Sequence, residues 1–209
     1  MTNLFPVAKE GWNYIAYSLG VFVLTLLSDL EFLAIMFFAF SVFFIYVFRN
    51  PERELTIVQE KSVLSPVDGV IIDIEELDDS EYFYKLSLKS SYGDVSLFRA
   101  PMNAKVSSQG KYSGSRLTLQ SPLGKKLNEN TTLVFEDIHA NKVKITHRVQ
   151  ESFCGIKTDS VQDKQIIQSS RYGVMVNGIS EVYLPENFRL NVHLDDEVKA
   201  SQTLLGYFS

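Results

Sequence analysis

The amino-acid sequence predicts an N-terminal transmembrane helical hairpin joined to a mainly β domain. The first observation is the distribution of charge: residues 12–48 contain only two charged side chains, Asp29 and Glu31, in a chain that is 22% charged overall. The second is that residues 49–209 alternate between apolar and polar positions and are rich in β-branched and aromatic residues. We therefore assign residues 12–48 to the hairpin and residues 49–209 to the β domain.

Two apolar runs, residues 12–28 and 32–48, form the predicted hairpin, with the two acidic residues in the turn between them. Seventeen helical residues extend about 25 Å, near the lower limit for crossing the hydrocarbon core of a bilayer. A signal peptide and a buried helix pair are the alternatives. The signal peptide is disfavoured because only Lys9 is basic before the first run and no small-residue cleavage site follows it. The buried pair is disfavoured because every face of both runs is apolar.

The flanking charges predict the location of the chain. Lys9 precedes the hairpin and Arg49 and Arg53 follow it, whereas the turn carries only negative charge. The positive-inside rule then places both ends and the β domain in the cytoplasm, so we expect the protein at the inner (cytoplasmic) membrane.

Composition excludes several classes of protein. A multispan transporter and a disordered chain do not fit a sequence in which one short apolar segment precedes a long segment of ordinary soluble composition. A net charge of −5 and a pI near 5.3 offer no broad basic surface, so we expect no nucleic-acid partner. The single cysteine, Cys154, excludes a disulfide framework and a multi-cysteine metal site, and we predict no metal.

Strand-like segments follow one another closely in the part of the sequence after Pro51. They are residues 70–74, 82–88, 132–136, 142–146 and 174–176, with glycine-containing turns between them. Short strands at such spacing predict a compact barrel or sandwich.

Two hairpins are predicted near the C-terminus. Residues 174–183 alternate on both sides of Asn177-Gly178, which is the strongest short signal for a type I′ turn. Residues 190–206 alternate, turn on acidic residues and alternate again, and they resemble the closing hairpin of barrel-sandwich hybrid domains.

Five segments occur in an order that resembles a known family. They are residues 48–53 (Phe-Arg-Asn-Pro-Glu-Arg), 64–69 (Leu-Ser-Pro-Val-Asp-Gly), 99–101 (Arg-Ala-Pro), 127–130 (Leu-Asn-Glu-Asn) and 182–185 (Val-Tyr-Leu-Pro). The set is similar to the short, membrane-anchored phosphatidylserine decarboxylases. The resemblance implies a phosphatidylserine decarboxylase-like barrel-sandwich hybrid. It also implies a self-cleaving Gly-Ser bond, whose serine becomes a pyruvoyl group that acts as electron sink during loss of CO2.

The resemblance also places the family's functional residues on this sequence. The aspartate that assists self-cleavage corresponds to Asp68, and the histidine corresponds to Ser96, which cannot act as imidazole does at neutral pH. Aligned from Pro185, the pyruvoyl-forming serine corresponds to Gly178; aligned from residues 172–173, it corresponds to Ile179. Arg99 is a candidate binding residue.

Neither alignment supplies a serine, so we predict an uncut chain. Glycine and isoleucine have no side-chain oxygen from which a pyruvoyl group can form. The cofactor expected for the family is therefore not predicted here. The one Gly-Ser bond in the sequence, Gly114-Ser115, precedes residues 127–130 and lies at the wrong place in the family order. His147 and Cys154 are interpreted as a hydrogen-bonded residue and a small buried hydrophobe.

Three hypotheses about function follow. The first is a degenerate member of the family that works in phosphatidylethanolamine metabolism without pyruvoyl-dependent activity. The second is an active decarboxylase with unconventional processing, and the third is a non-catalytic membrane adaptor. The expected partner is a membrane phospholipid, and a lipid-synthesis enzyme or a second copy of the chain are further candidates.

Overall fold

The computed structural model describes residues 6–53, 61–78 and 81–209. It divides into two compact units, Met1–Glu52 and Arg53–Ser209, here called the helical unit and the β unit.

The helical unit contains two antiparallel helices. A 3-10 turn, Lys9–Gly11, leads into α1 (Trp12–Leu27), and α2 is Glu31–Val47. Asp29 takes the left-handed conformation, with φ of 56°, which reverses the chain between the helices. The helices pack through aromatic side chains, with Phe22 against Phe38, and through a buried hydrogen bond of 2.9 Å from the Ser41 hydroxyl to the Ser18 hydroxyl.

The predicted transmembrane hairpin is wrong. The two apolar runs do form helices, but these have 16 and 17 residues. A membrane-spanning helix needs about 20 predominantly apolar residues. In residues 6–53, 61–78 and 81–209, no helix is long and apolar enough to cross a membrane. The chain is therefore mainly β with few helices, and the predicted fold class fails in its N-terminal part. The positive-inside argument presupposed two spans and no longer applies, so the location of the protein stays a prediction.

Within residues 61–78 and 81–209, the β unit contains three antiparallel sheets and one short helix. The strands are β1 (Ser62–Leu64), β2 (Gly69–Glu76), β3 (Tyr84–Ser90), β4 (Leu97–Arg99), β5 (Ala104–Tyr112), β6 (Asn130–Glu136), β7 (Lys142–Val149), β8 (Lys157–Thr158), β9 (Gln165–Ile166), β10 (Arg171–Val174), β11 (Gly178–Leu184), β12 (Phe188–Leu190), β13 (Glu197–Val198) and β14 (Leu204–Phe208), and the helix is α3 (Pro122–Leu127). The main sheet has the order β13-β2-β3-β11-β7-β6-β5-β9, and the small sheets are β1-β14-β12 and β4-β10-β8.

The alternation seen in the sequence sets which face of the main sheet is buried. In β6 and β11, every second residue is buried, because successive side chains point to opposite faces of a strand. Leu133, Ile145 and Val182 are fully buried members of one hydrophobic core. The middle strands β3, β11 and β7 therefore give the site described below a rigid frame.

The type I′ hairpin predicted at Asn177-Gly178 is wrong. β10 pairs with β4 and β8, whereas β11 pairs with β3 and β7. Neither Asn177 nor Gly178 has a positive φ. The local turn signal is overridden because each strand finds partners elsewhere, and residues 175–177 carry the chain from one sheet to another.

The C-terminal segment differs from the predicted simple hairpin. β12 and β14 do pair, with Leu190 opposite Gly206, and the acidic turn contains Asp195 in the left-handed conformation. However, β13 lies between them along the chain and pairs with β2 in the main sheet. Two sheets therefore share this segment.

Candidate functional site

The structure brings the predicted site residues Asp68 and Gly178 to either side of the last residue of β3. The Ser90 hydroxyl donates a 2.5 Å hydrogen bond to the carbonyl of Asp68, just before β2. On its other side, Ser90 lies opposite Gly178 at the start of β11. Asp68 and Gly178 thus approach each other because β3 lies between β2 and β11.

Ser96 and Arg99 join the same neighbourhood through backbone contacts. The carbonyl of Ser96 accepts a hydrogen bond of 2.9 Å from the amide of Met175, three residues before Gly178. The amide of Arg99 donates to the carbonyl of Pro66 at 2.9 Å, two residues before Asp68. Both residues are buried. Ser96 was predicted to correspond to the histidine of the resembled family, and that correspondence stays a prediction.

The carboxylate of Asp68 is held in a two-pronged ion pair. Both terminal nitrogens of Arg53 donate to it at 2.5 Å, one to each carboxylate oxygen. The amide of Ala200 donates to the same carboxylate at 2.8 Å, and the Ala200 carbonyl accepts from Arg53 at 2.8 Å. Only about a tenth of either side chain is exposed. Both oxygens are engaged, so Asp68 serves as one partner of a buried ion pair within the β unit, which joins Arg53 to segment 64–69.

Gly178 lies where a side chain has no room. A Cβ atom built there would be 2.3 Å from the carbonyl oxygen of Arg148 in β7 and 2.5 Å from the sulfur of Met175. Real Cβ atoms do not approach a backbone oxygen so closely, and backbone would have to shift to admit one. The space that a serine side chain would need at this position is filled by the neighbouring strand.

Gly114-Ser115, the one Gly-Ser bond, lies elsewhere and has a structural role. A Cβ on Gly114 would be 2.1 Å from the carbonyl oxygen of Leu127. The Ser115 hydroxyl donates to the side-chain oxygen of Asn128 at 3.0 Å. This serine therefore tethers the loop after β5 to the end of α3.

A buried hydrogen-bonded chain next to Gly178 was missed at the sequence level. Nδ1 of His147 lies 2.7 Å from the Ser180 hydroxyl, and Nε2 lies 2.8 Å from the Tyr172 hydroxyl. All three residues are fully buried. The imidazole also stacks on Phe98, with ring centroids 3.6 Å apart. The sequence identified His147 as hydrogen-bonded, but its partners depend on the register of β7 against β11, which places it opposite Ser180.

Burial determines the charge of this hydrogen-bonded cluster of Ser180, His147 and Tyr172. It lowers the pKa of His147 to about 3 because the imidazolium cannot be solvated, and it raises the pKa of the Tyr172 phenol. The imidazole is therefore neutral near pH 7, with one ring nitrogen donating and the other accepting. An imidazole with so low a pKa is a weak general base. The hydrogen-bonded cluster is therefore better suited to holding β7 and β11 together than to activating Ser180.

The cysteine and the acidic residues do not form a metal site in the described parts of the chain. No group of three His, Cys, Asp or Glu residues there is arranged to hold an ion. Burial raises the pKa of the Cys154 thiol, which keeps it protonated and unreactive.

Comparison with known proteins identifies close counterparts of the whole chain. The profile of the phosphatidylserine decarboxylase family matches residues 40–206. A phosphatidylserine decarboxylase proenzyme of Geobacter metallireducens is 30% identical over 210 residues, covering 96% of each chain. Proenzymes of the same name from Desulfotalea psychrophila and Pelagibacter ubique are each 28% identical, covering 96% and 99% of each chain. No solved structure matches.

Proposed function

Because the chain belongs to the phosphatidylserine decarboxylase family, we propose that it works in aminophospholipid metabolism as a single uncut polypeptide without decarboxylase activity. The family acts on the membrane phospholipid phosphatidylserine. The observation that carries the proposal is Gly178, which has no side-chain oxygen and no space for one. A phospholipid remains the ligand, and phosphatidylserine or its decarboxylated product is the headgroup to test first.

The residues present do not fit the pyruvoyl group of the family. Its formation needs a serine at the cleaved bond, and the Arg148 carbonyl occupies the space that the side chain would take at Gly178. Ser96 has no basic nitrogen with which to accept a proton. Asp68 is committed to Arg53 and Ala200. Of the four predicted site residues, three thus support an unprocessed protein, namely Gly178, Ser96 and Asp68.

The helical unit supports association with a membrane surface. Leu27, Phe32 and Ile35 are 69–80% exposed, and the remaining exposed surface of α1 and α2 is also largely apolar. Continuous exposed apolar surface of this kind marks a site that contacts lipid or another protein. Since the family's substrate resides in a bilayer, contact with lipid is the simpler explanation. The proposal places the helices on the membrane and not across it.

Intact mass tests the proposal. The purified full-length chain should run as one species on a denaturing gel and have a mass near 23.7 kDa. It should release no labelled CO2 from carboxyl-labelled phosphatidylserine. A small C-terminal fragment with a blocked, pyruvoyl-containing end would overturn the proposal, whether or not CO2 is released.

An active decarboxylase with unconventional processing is the second candidate, and one contact favours it. Ser180 lies two residues after Gly178, and its hydroxyl is 2.7 Å from a histidine nitrogen. Cleavage before Ser180 would give a fragment of about 30 residues, which differs in mass from one that begins after Gly178. Ser180 pairs on both sides within the sheet and its histidine is a weak base, so we rank this candidate second.

A further inference from the structure

We propose that the loop between β5 and β6 is a docking surface for a bilayer that contains anionic phospholipid. This surface, called the Leu-Lys surface, consists of Arg116, Leu117, Leu123, Lys125, Lys126 and Leu127. The inference deepens the proposed function, because it assigns a membrane contact to the β unit next to the candidate site.

Exposed leucines are the first observation. Leu117, Leu123 and Leu127 are 44%, 61% and 44% exposed. Leu123 and Leu127 are four residues apart across α3, so they lie on the same side of that helical turn. Large apolar side chains grouped in this way on a surface indicate a contact with lipid or with a partner.

The charge of the same segment is opposite to that of the protein. Residues 111–127 contain four basic residues and no acidic residue, whereas the whole chain has a net charge of −5. Lys111 and Arg116 share Glu129, at 3.6 Å each. Lys125 and Lys126 are exposed and make no ion pair with any residue that the structure describes. Lysines beside exposed leucines are complementary to an anionic membrane surface, where leucine enters the headgroup region and lysine meets phosphate.

The loop is held in shape by one buried side chain. The Asn128 side chain accepts from the amide of Leu117 at 2.9 Å and donates to the carbonyls of Leu117 and Val149 at 2.6 and 2.9 Å. The Ser121 hydroxyl caps α3 by accepting from the amide of Gly124 at 2.9 Å. The leucines and lysines are therefore presented on a preorganised support, which reduces the entropy lost on binding.

The position of the surface connects it to the candidate site. Val149, whose carbonyl binds Asn128, lies opposite Gly178 in the sheet. The next residue, Gln150, donates its amide to the carbonyl of Asn177 at 3.1 Å. A bilayer docked on the Leu-Lys surface would therefore meet the β unit beside the position where the family forms its reactive group.

Vesicle binding by the full-length chain tests the inference. Vesicles of phosphatidylcholine alone and of phosphatidylcholine with phosphatidylserine separate apolar binding from charge-dependent binding. We expect the wild-type chain to prefer the anionic vesicles and to lose that preference at high salt. The Lys125→Glu/Lys126→Glu variant should bind anionic vesicles about tenfold more weakly, with little change on neutral ones.

A matched charge reversal provides the control. Lys164 and Lys199 are exposed lysines of the β unit outside the segment 111–127, and Lys164 lies near the other end of β5. Lys164→Glu/Lys199→Glu changes the net charge equally and should keep the anionic preference. Leu123→Ser should weaken binding to anionic vesicles, whereas Ile167→Ser, at a somewhat more exposed position outside the Leu-Lys surface, should not. Unchanged thermal unfolding temperatures confirm that the variants fold.

Two outcomes would overturn the inference. One is equal binding of the two lysine variants to anionic vesicles, which shows that only net charge matters. The other is loss of a protein partner, but not of vesicle binding, in Lys125→Glu/Lys126→Glu, which assigns the surface to a protein. Neither outcome alters the mass of the chain, so failure here is distinguishable from failure of the proposed function.

Discussion

The Arg53–Asp68 pair and the Ser180–His147–Tyr172 chain are both buried polar clusters of the β unit, but one is charged and the other is neutral. In the charged cluster, a guanidinium group and a backbone amide surround the carboxylate. In the neutral cluster, hydroxyl groups lie against both ring nitrogens, and burial keeps the imidazole unprotonated. Buried polar groups in this unit are thus satisfied in two ways, by an opposite charge or by neutral hydrogen bonds.

The charged cluster should be the more costly of the two to break. Asp68→Ala leaves the Arg53 guanidinium buried without its partner, and we expect a loss of about 3–5 kcal/mol in the free energy of unfolding, measured by urea denaturation. Lys142→Ala, which removes one partner of the exposed pair Lys142–Glu81, is the control and should cost less than about 1 kcal/mol. Equal losses for the two variants would contradict the assignment of Asp68 to a buried pair.

Low pH should break the neutral cluster. Burial lowers the pKa of His147 to about 3 in the folded chain, from the ordinary 6.5 of an exposed histidine, so the unfolded chain binds more protons below pH 6.5. Stability should fall as pH decreases from 6.5 towards 3, by about 1.4 kcal/mol per pH unit, or about 3 kcal/mol at pH 4.5.

The pH effect is isolated by comparing two histidine variants. His147→Gln should lack this share of the acid sensitivity in urea titrations at several pH values. His139→Gln, at an exposed position, should keep the wild-type dependence. A wild-type slope in His147→Gln would show that other groups cause the acid sensitivity.

A side chain at position 178 tests the space beside both clusters. Gly178→Ser should cost about 1–3 kcal/mol through overpacking against the Arg148 carbonyl, and it should not restore chain cleavage. Gly110→Ser is the matched control, because a Cβ at Gly110 in β5 meets nothing within 4 Å. Urea denaturation and intact mass measure the two effects. A stable, cleaved Gly178→Ser protein would contradict the packing argument, because the backbone of β7 would then have made room for the side chain.

The smallest expected effect concerns the tyrosine hydroxyl of the neutral cluster. Tyr172→Phe removes one hydrogen bond to His147 and should cost about 1 kcal/mol. Tyr183→Phe removes a longer bond of 3.3 Å from a half-buried hydroxyl to Glu181, so its cost should be near zero. If Tyr172→Phe proves neutral in thermal unfolding, the phenol contributes packing alone.

Local sequence patterns predicted where helices and strands lie along the chain better than they predicted which strands pair with each other. The apolar runs 12–28 and 32–48 correspond closely to α1 and α2, and the alternating residues 142–146 lie within β7. Periodicity depends on neighbouring side chains, so it can be recognised along one strand. The transmembrane prediction failed on length, because α1 and α2 have 16 and 17 residues and a membrane-spanning helix needs about 20.

Contacts between residues that are far apart in the sequence could not be predicted in the same way. The strands on either side of Asn177 were assigned to one hairpin because the turn signal was strong, yet each joins a different sheet. The partner of Asp68 is 15 residues away, and the partner of His147 is 33 residues away. The family resemblance placed Asp68 and Gly178 in one neighbourhood, but only the sheet register explains why that neighbourhood contains Ser90 and the Arg148 carbonyl.

The close contact at Gly178 has a consequence for how this sequence can change over time. A serine at position 178 would meet the backbone of β7, because a Cβ atom there lies 2.3 Å from the carbonyl oxygen of Arg148. A side chain at this position would require β7 or β11 to move, so a substitution of Gly178 is coupled to the packing of two strands. Backbone packing at this one glycine thus restricts which residues the sequence can accept at position 178.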